Sequence, residues 1–384
     1  MKRAGILLIV LSLVAGLLPI RGYAADLNVA GKSAVLMDVA TGTILYEQNA
    51  HDALAPASVT KVMTMLLIME AIDSGKIGWD DQVTASEAAA AKGGSQIYLK
   101  VGESMSVSDM VKSIAVSSAN DCACAMAEHL AGSESAFVDL MNRQAQELGM
   151  MDTHCVNCTG LDDGAEAVNH RTSAHDIAIM SRELLKNHSG IKKFTTIWMD
   201  TVRNGAFGLS NTNKMVRFYD GCTGLKTGFT SGAGYCLSAS AQRSGLELIA
   251  VVMGSSTSAD RFAACKGMLD YGFANFALYE PVVQEGATVP VTLGKSKVVG
   301  VIPKEEAQLL VDKGLINAIV TEVTLSESVK APVVAGDSLG TLTIKSQEKI
   351  LKEIPLVAES PVDRLTWGDI TVLMLRQIAM AKGL

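Results

Sequence analysis

Read as apolar and polar positions, the chain falls into three stretches of different period. Between residue 33 and about 277, strand and helix patterns alternate. Runs at 33–38 and 42–46 predict a hairpin, and residues 59–72 are apolar nearly all round, the pattern of a helix buried on every side. Helical spacing recurs over 105–114, 121–130 and 136–148. A strand-like run from Lys226 to Ser240, a turn at 242–245 and a second run at 248–253 predict an antiparallel hairpin. This first stretch is mixed α/β. Beyond Glu280 short β-rich segments take over, at 288–293, 297–302, 318–323, 340–344 and 353–357, broken by Gly-Lys, Pro-Lys and Gly-Asp turn signals. They predict a separate small β domain over 278–358, after a first domain spanning 25–277.

The tail, 359–384, returns to a helical period. Trp367, Ile370, Met374, Ile378 and Ala381 share one face, with Asp369 and Arg376 roughly opposite. Such a terminal helix, behind a Glu-Ser-Pro break and with no obvious core to join, is expected to lie on a membrane surface. The other end carries a second address. Met1-Lys2-Arg3 is basic, residues 6–20 are apolar and uncharged, and Gly22 and Ala24 place small residues at −3 and −1. Residues 1–24 therefore read as a cleaved export signal, the apolar run being shorter than the ~20 residues of a spanning helix.

Composition narrows the picture. A mean hydropathy of +0.26 with 19% charged residues argues for buried cores in two domains rather than disorder. The net charge of −7, with no basic run of five, excludes nucleic acid and other polyanions as partners. Seven cysteines are an odd number, so at least one thiol stays unpaired within the chain, and at most one or two disulfides are expected. His154-Cys155 with Cys158 makes half a zinc site and no second ligand cluster follows, so no metal and no cofactor is expected.

Three strings carry chemistry. Ser58-Val59-Thr60-Lys61 opens the apolar helix, and residues three apart share a face, so the serine and lysine meet without help from the tertiary fold. Serine is a poor nucleophile until a base stands one hydrogen bond away. Burial and the positive helix end both disfavour a protonated lysine, so Lys61 is placed to accept the proton. The same S-x-x-K string recurs at Ser189–Lys192 and Ser346–Lys349, but neither copy opens an apolar helix. Ser118-Ala119-Asn120 is the only S-x-N, set between two helical patterns where a turn can aim both side chains into a cleft. Taken alone it also reads as an N-cap serine. Lys226-Thr227-Gly228 is unique too, and begins a strand along which an extended substrate can lie. There Gly228 leaves room for close approach, and the Phe229 N–H can join that of Ser58 as an oxyanion hole. Together, S-x-x-K, S-D-N and K-T-G are the motif set of penicillin-binding proteins and class A β-lactamases, here with alanine at the centre of the second string.

With their neighbours, Ala55-Pro56-Ala57 before Ser58, Asp121 after Asn120, and Gly224-Leu225 before Lys226, these motifs resemble the D-alanyl-D-alanine carboxypeptidases. Those are low-molecular-mass penicillin-binding proteins of the serine type, and the resemblance spans nearly the whole mature chain. It implies a β-lactamase-like α/β (α+β) domain with a central antiparallel sheet flanked by helices, then a small β-rich domain and a C-terminal amphipathic anchor. By the same resemblance Ser58 is acylated, Lys61 is its base, Ser118 and Asn120 relay protons and hold substrate, and Lys226 and Thr227 hold the terminal D-alanine carboxylate, with Arg261 assisting. Phe229 stands where some relatives carry histidine. The implied substrate is a peptidoglycan stem peptide ending in D-Ala-D-Ala, with β-lactams as inhibitors and the outer face of the cytoplasmic membrane or the wall space as location. The stretch 221–232 is most similar to sporulation-associated members. A D,D-endopeptidase, a β-lactamase whose Glu166 would serve deacylation, and a non-catalytic wall scaffold are the competing expectations.

Overall fold

A computed structural model describes residue 27, residues 29–281 and residues 286–381; the segment read as an export signal lies outside the described residues. The chain forms two compact units that change over between Gly272 and Phe273. In the first unit, strands β1 (Ser33–Asp38), β2 (Ile44–Gln48), β3 (Cys222–Thr230), β4 (Gly234–Arg243) and β5 (Leu246–Ser255) form one sheet in the order β2-β1-β5-β4-β3. β1 runs antiparallel to both of its neighbours, and β3 to β4. The sheet is thus assembled from both ends of the unit, and β3 lies at its edge.

The 226–240 run is not one strand. It breaks into β3 and β4 at the turn 231–233, where Ser231-Gly232-Ala233 supplies turn chemistry that the β-rich composition on either side conceals.

Helices pack around α1 (Lys61–Asp73), in which Val62, Met63, Met65, Leu66, Ile68 and Met69 are all buried. Each such side chain contributes about 1.5–3 kcal/mol of burial, which is why this helix shows no polar face. Around it stand α2 (Val107–Ser117), α3 (Asn120–Ala131), α4 (Glu134–Glu147) and α5 (Ala174–Asn187), while α6 (Ser258–Asn275) lies against the sheet, its Gly272 close to Leu248 and Leu36. Ser106, Ser133 and Ser173 cap α2, α4 and α5 by accepting a backbone N–H three residues on. Met105, expected in the helix, instead belongs to a short strand, 104–106, paired with 82–84.

The second unit is β-rich. Its strands are β6 (Phe276–Tyr279), β7 (Thr288–Thr292), β8 (Val298–Pro303), β9 (Leu309–Asp312), β10 (Ile319–Leu325), β11 (Val329–Lys330), β12 (Ser338–Ser346) and β13 (Lys349–Ala358). Six of them form a sheet in the order β10-β12-β13-β8-β7-β11 over a core that includes Val289, Val299, Leu342, Ile344, Ile354 and Leu356. Helix α7 (Trp367–Ala381) ends the described chain, with Trp367, Val372, Leu373, Met374 and Leu375 exposed.

Candidate active site

Ser58 does not sit in the first turn of an α-helix. Residues Ala57–Thr60 form a 3₁₀ turn, and the α-helix begins only at Lys61. In a 3₁₀ turn residues three apart are eclipsed, which brings Ser58 and Lys61 together more directly than an α-turn. Lys61 Nζ lies 2.9 Å from Ser58 Oγ and donates to the Thr159 carbonyl at 2.8 Å. The lysine is fully buried, and burial pulls its pKa down to about 7 against the opposing charge of Asp121. Near neutral pH a large share of Lys61 is therefore an amine with a free lone pair.

The turn carrying Ser58 is held by two close backbone approaches. Gly228 of β3 lies so near that a Cβ there would stand 2.7 Å from the Pro56 oxygen and 3.1 Å from the Ser58 nitrogen. From the other side Gly160, at φ +79, admits no side chain, because a Cβ would fall 1.8 Å from the Ala57 oxygen. Gly228 is legible in the sequence, but the segment 157–160 is not singled out by any of the three motifs. Its signal is faint: Asn157 Oδ1 accepts from the Thr159 and Gly160 N–H groups at 3.1 and 2.7 Å, an Asx-type turn that Asn-x-x-Gly spells weakly.

Ser118 and Asn120 sit at the junction of α2 and α3, as expected, with Ser118 left-handed at φ 63. For a non-glycine residue that conformation costs about 1–2 kcal/mol, and it sharpens the turn between the helices. Asn120 is buried; its Nδ2 donates to the Gly93 carbonyl at 2.8 Å while Oδ1 has no hydrogen-bond partner among the described residues. An orphan acceptor of this kind marks a place where a donor can arrive. Asp121 ties the same wall together, accepting the Ile97 and Leu99 N–H groups at 3.1 and 3.0 Å. Beside it opens a cavity of ≈ 250 Å³ lined by Lys92, Asn157, Thr159, Leu161, Asp163 and Glu166. Glu166 itself is exposed and accepts from Asn169 at 3.0 Å.

On β3, Lys226 is buried and donates to the Thr227 carbonyl at 2.9 Å, and Thr227 Oγ1 donates to Thr212 Oγ1 at 2.7 Å. Burial, then the charges of Lys61 and Arg261, push the Lys226 pKa well below its ordinary value. Arg261 does not lie at the surface. It is buried against Tyr235 and Phe262, and Nη1 donates to the carbonyls of Gly228 at 2.8 Å and Cys236 at 3.2 Å. It thereby holds the Gly228 end of the strand. The Phe229 ring is half exposed and lies on Tyr235, with centroids 4.3 Å apart. Lys61, Lys226 and Arg261 thus share a site in need of negative charge, a setting for a substrate carboxylate.

All seven cysteines are free thiols, and no disulfide forms among the described residues. Cys158 packs against Glu134, Sγ to Oε1 3.3 Å, and burial raises the Cys155 thiol to about 12. Six of the seven are buried and pack as small apolar residues.

Comparison with known proteins agrees with this geometry. Residues 21–257 match the family model described as D-alanyl-D-alanine carboxypeptidase, and residues 279–364 match that of the penicillin-binding protein 5 C-terminal domain. The D-alanyl-D-alanine carboxypeptidase DacF of Bacillus subtilis is 43% identical over 356 residues, covering 91% of this chain and 90% of its own. DacA of Escherichia coli is 33% identical, with 87% of each chain covered. Penicillin binding protein 5 from Haemophilus influenzae superposes with a TM-score of 0.76 at 29% identity, over 89% of this chain and 100% of its own. Penicillin-Binding Protein D2 from Listeria monocytogenes, solved in an ampicillin-bound form, gives a TM-score of 0.59 at 31% identity over 65% of this chain and all of its own. With the three motifs gathered around Ser58 and its buried lysine, the chain belongs to the D-alanyl-D-alanine carboxypeptidase family of penicillin-binding, serine-type hydrolases.

Proposed function

We propose that the enzyme removes the terminal D-alanine from peptidoglycan stem pentapeptides through an acyl-enzyme on Ser58. Neutral Lys61 takes the hydroxyl proton as Ser58 Oγ attacks the penultimate D-alanine carbonyl, and the N–H groups of Ser58 and Phe229 receive the oxyanion. Collapse breaks the peptide bond and releases D-alanine, its amine taking up a proton by way of Ser118. Water then hydrolyses the ester and restores the serine. Lys226 and Thr227 bind the terminal carboxylate, Arg261 holds Gly228 in place beside them, and Asn120 binds the backbone of the acyl side. The rest of the stem would extend toward the cavity beside Thr159. A β-lactam acylates Ser58 by the same attack but keeps its leaving group tethered.

The observation that carries this reading is the 2.9 Å contact between Ser58 Oγ and a lysine held down near 7. Release of D-alanine from a synthetic pentapeptide, measured on wild type and Ser58→Ala, tests it. Undiminished release by the variant would sink it. Rapid turnover of penicillin would favour the β-lactamase reading, and cleavage of a cross-linked dimer the endopeptidase reading. Export of the chain through residues 1–24 and membrane contact through α7 belong to the same proposal, supported by the apolar start and by the exposed Trp367, Met374 and Leu375. So do the domain limits of 25–277, 278–358 and 359–384.

A further inference from the structure

Behind the Ser58 turn lies a buried histidine that none of the three motifs includes. His170 is 4% exposed. Its Nδ1 stands 3.1 Å from the Val156 N–H, its Nε2 stands 2.8 Å from Thr60 Oγ1, and Thr60 Oγ1 donates to the Ala57 carbonyl at 2.8 Å. These partners fix every proton. An amide N–H only donates, so Nδ1 is bare; the proton therefore sits on Nε2 and donates to Thr60, whose own proton is left for a carbonyl that only accepts. Burial, with His154 and Arg171 nearby, keeps the ring neutral and the chain of donors intact.

The end of this chain is what matters. The Ala57 carbonyl and the Ser58 N–H belong to one planar trans peptide, so they point in opposite directions. Pinning the oxygen aims the N–H. Ala57 is itself left-handed at φ 49, a conformation that needs external support in a residue with a side chain, and the Ser58 nitrogen faces Gly228 on the β3 side. We infer that His170 is a positioning residue for acylation: through Thr60 and the Ala57 carbonyl it orients the Ser58 N–H as an oxyanion donor. Cooperative polarisation along the three bonds also strengthens that N–H as a donor. The inference rests on the reading of Ser58 as the nucleophile.

The test is a double-mutant cycle on the acylation rate constant, with a fluorescent penicillin as probe and labelling stoichiometry and melting temperature recorded in parallel. His170→Ala and Thr60→Val should each slow acylation about tenfold at full stoichiometry, less than outright loss of an oxyanion donor. The double variant should be no slower than either single one, because both break the same chain. Thr60→Ser, which keeps the hydroxyl, and His170→Gln, whose amide can still donate to Thr60, should recover rates to within about threefold of wild type. If His170→Ala does not fold, Thr60→Val against Thr60→Ser decides alone. Unchanged acylation in Thr60→Val, or additive losses in the cycle, would overturn the inference. Labelling of Ser58→Ala at the wild-type rate would instead overturn the underlying assignment of the nucleophile.

Discussion

The string S-x-x-K occurs in both units, and the copies at Ser58 and Ser346 have nothing in common but their letters. Ser58 and Lys61 lie on a 3₁₀ turn feeding a helix buried on all sides, with the lysine sealed from solvent. Ser346 and Lys349 face each other across the β12–β13 hairpin, around a left-handed Gln347, and Lys349 is exposed. A third copy, Ser189 with Lys192, also forms a 3₁₀ turn, yet Ser189 is exposed and Lys192 pairs with Glu247 at 2.7 Å. Spacing alone therefore does not make a nucleophile. What separates the copies is desolvation of the lysine without a carboxylate partner, which lowers its pKa where an ion pair would raise it.

The contrast is open to attack at several points, beginning with the lysines. Lys61→Ala should slow acylation by penicillin at least about 10³-fold, in the range expected for removing a general base, while Lys349→Ala leaves the rate within error. Comparable losses from both would erase the distinction. Next comes the packing of β3 on the turn. Gly228→Ala puts a methyl 2.7 Å from the Pro56 oxygen, and the resulting displacement of Ser58 should cost about 10²-fold in acylation with little change in melting temperature.

Proton linkage distinguishes the units further. With Lys61 near 7, the acylation rate should rise about tenfold per pH unit below 7 and level off above it, as a fitted rate profile would show. A flat profile from pH 5 to 8 would contradict an amine base. A smaller effect concerns stability. His170 is held near 4 in the folded chain against 6.5 when unfolded, chiefly by burial and then by His154 and Arg171, with the neighbouring Cys155 thiol uncharged. Between those values only the unfolded chain takes the proton. This contribution is thus complete above about pH 6.5 and is lost as pH falls toward 4, by up to about 3 kcal/mol. His170 lies in the first unit, so hydrogen exchange followed from pH 7 to 5 should show that unit loosening and the β-rich one unchanged.

Much of the fold is legible from periodicity: the buried helix, the turn at Ser118-Ala119-Asn120, and the change to β structure past residue 280 are all local in the chain. The site is legible as three strings whose pairing within each motif is also local. What escapes is long-range. Thr159 meets Lys61 across 98 residues and His170 meets Thr60 across 110, contacts that no window of sequence can display. The left-handed backbone at Ala57 and the 3₁₀ form of its turn escape for a related reason. Tertiary packing against Gly160 and Gly228 imposes them, and local propensity argues for an ordinary helix start.

One measurement bears on all of this most directly: mass-spectrometric mapping of the serine that a penicillin acylates in the intact protein. One adduct per chain is predicted, on the peptide containing Ser58, and none in Ser58→Ala. An adduct on Ser189 or Ser346, or undiminished labelling of the Ser58 variant, would contradict the claim that burial, not spacing, selects the nucleophile.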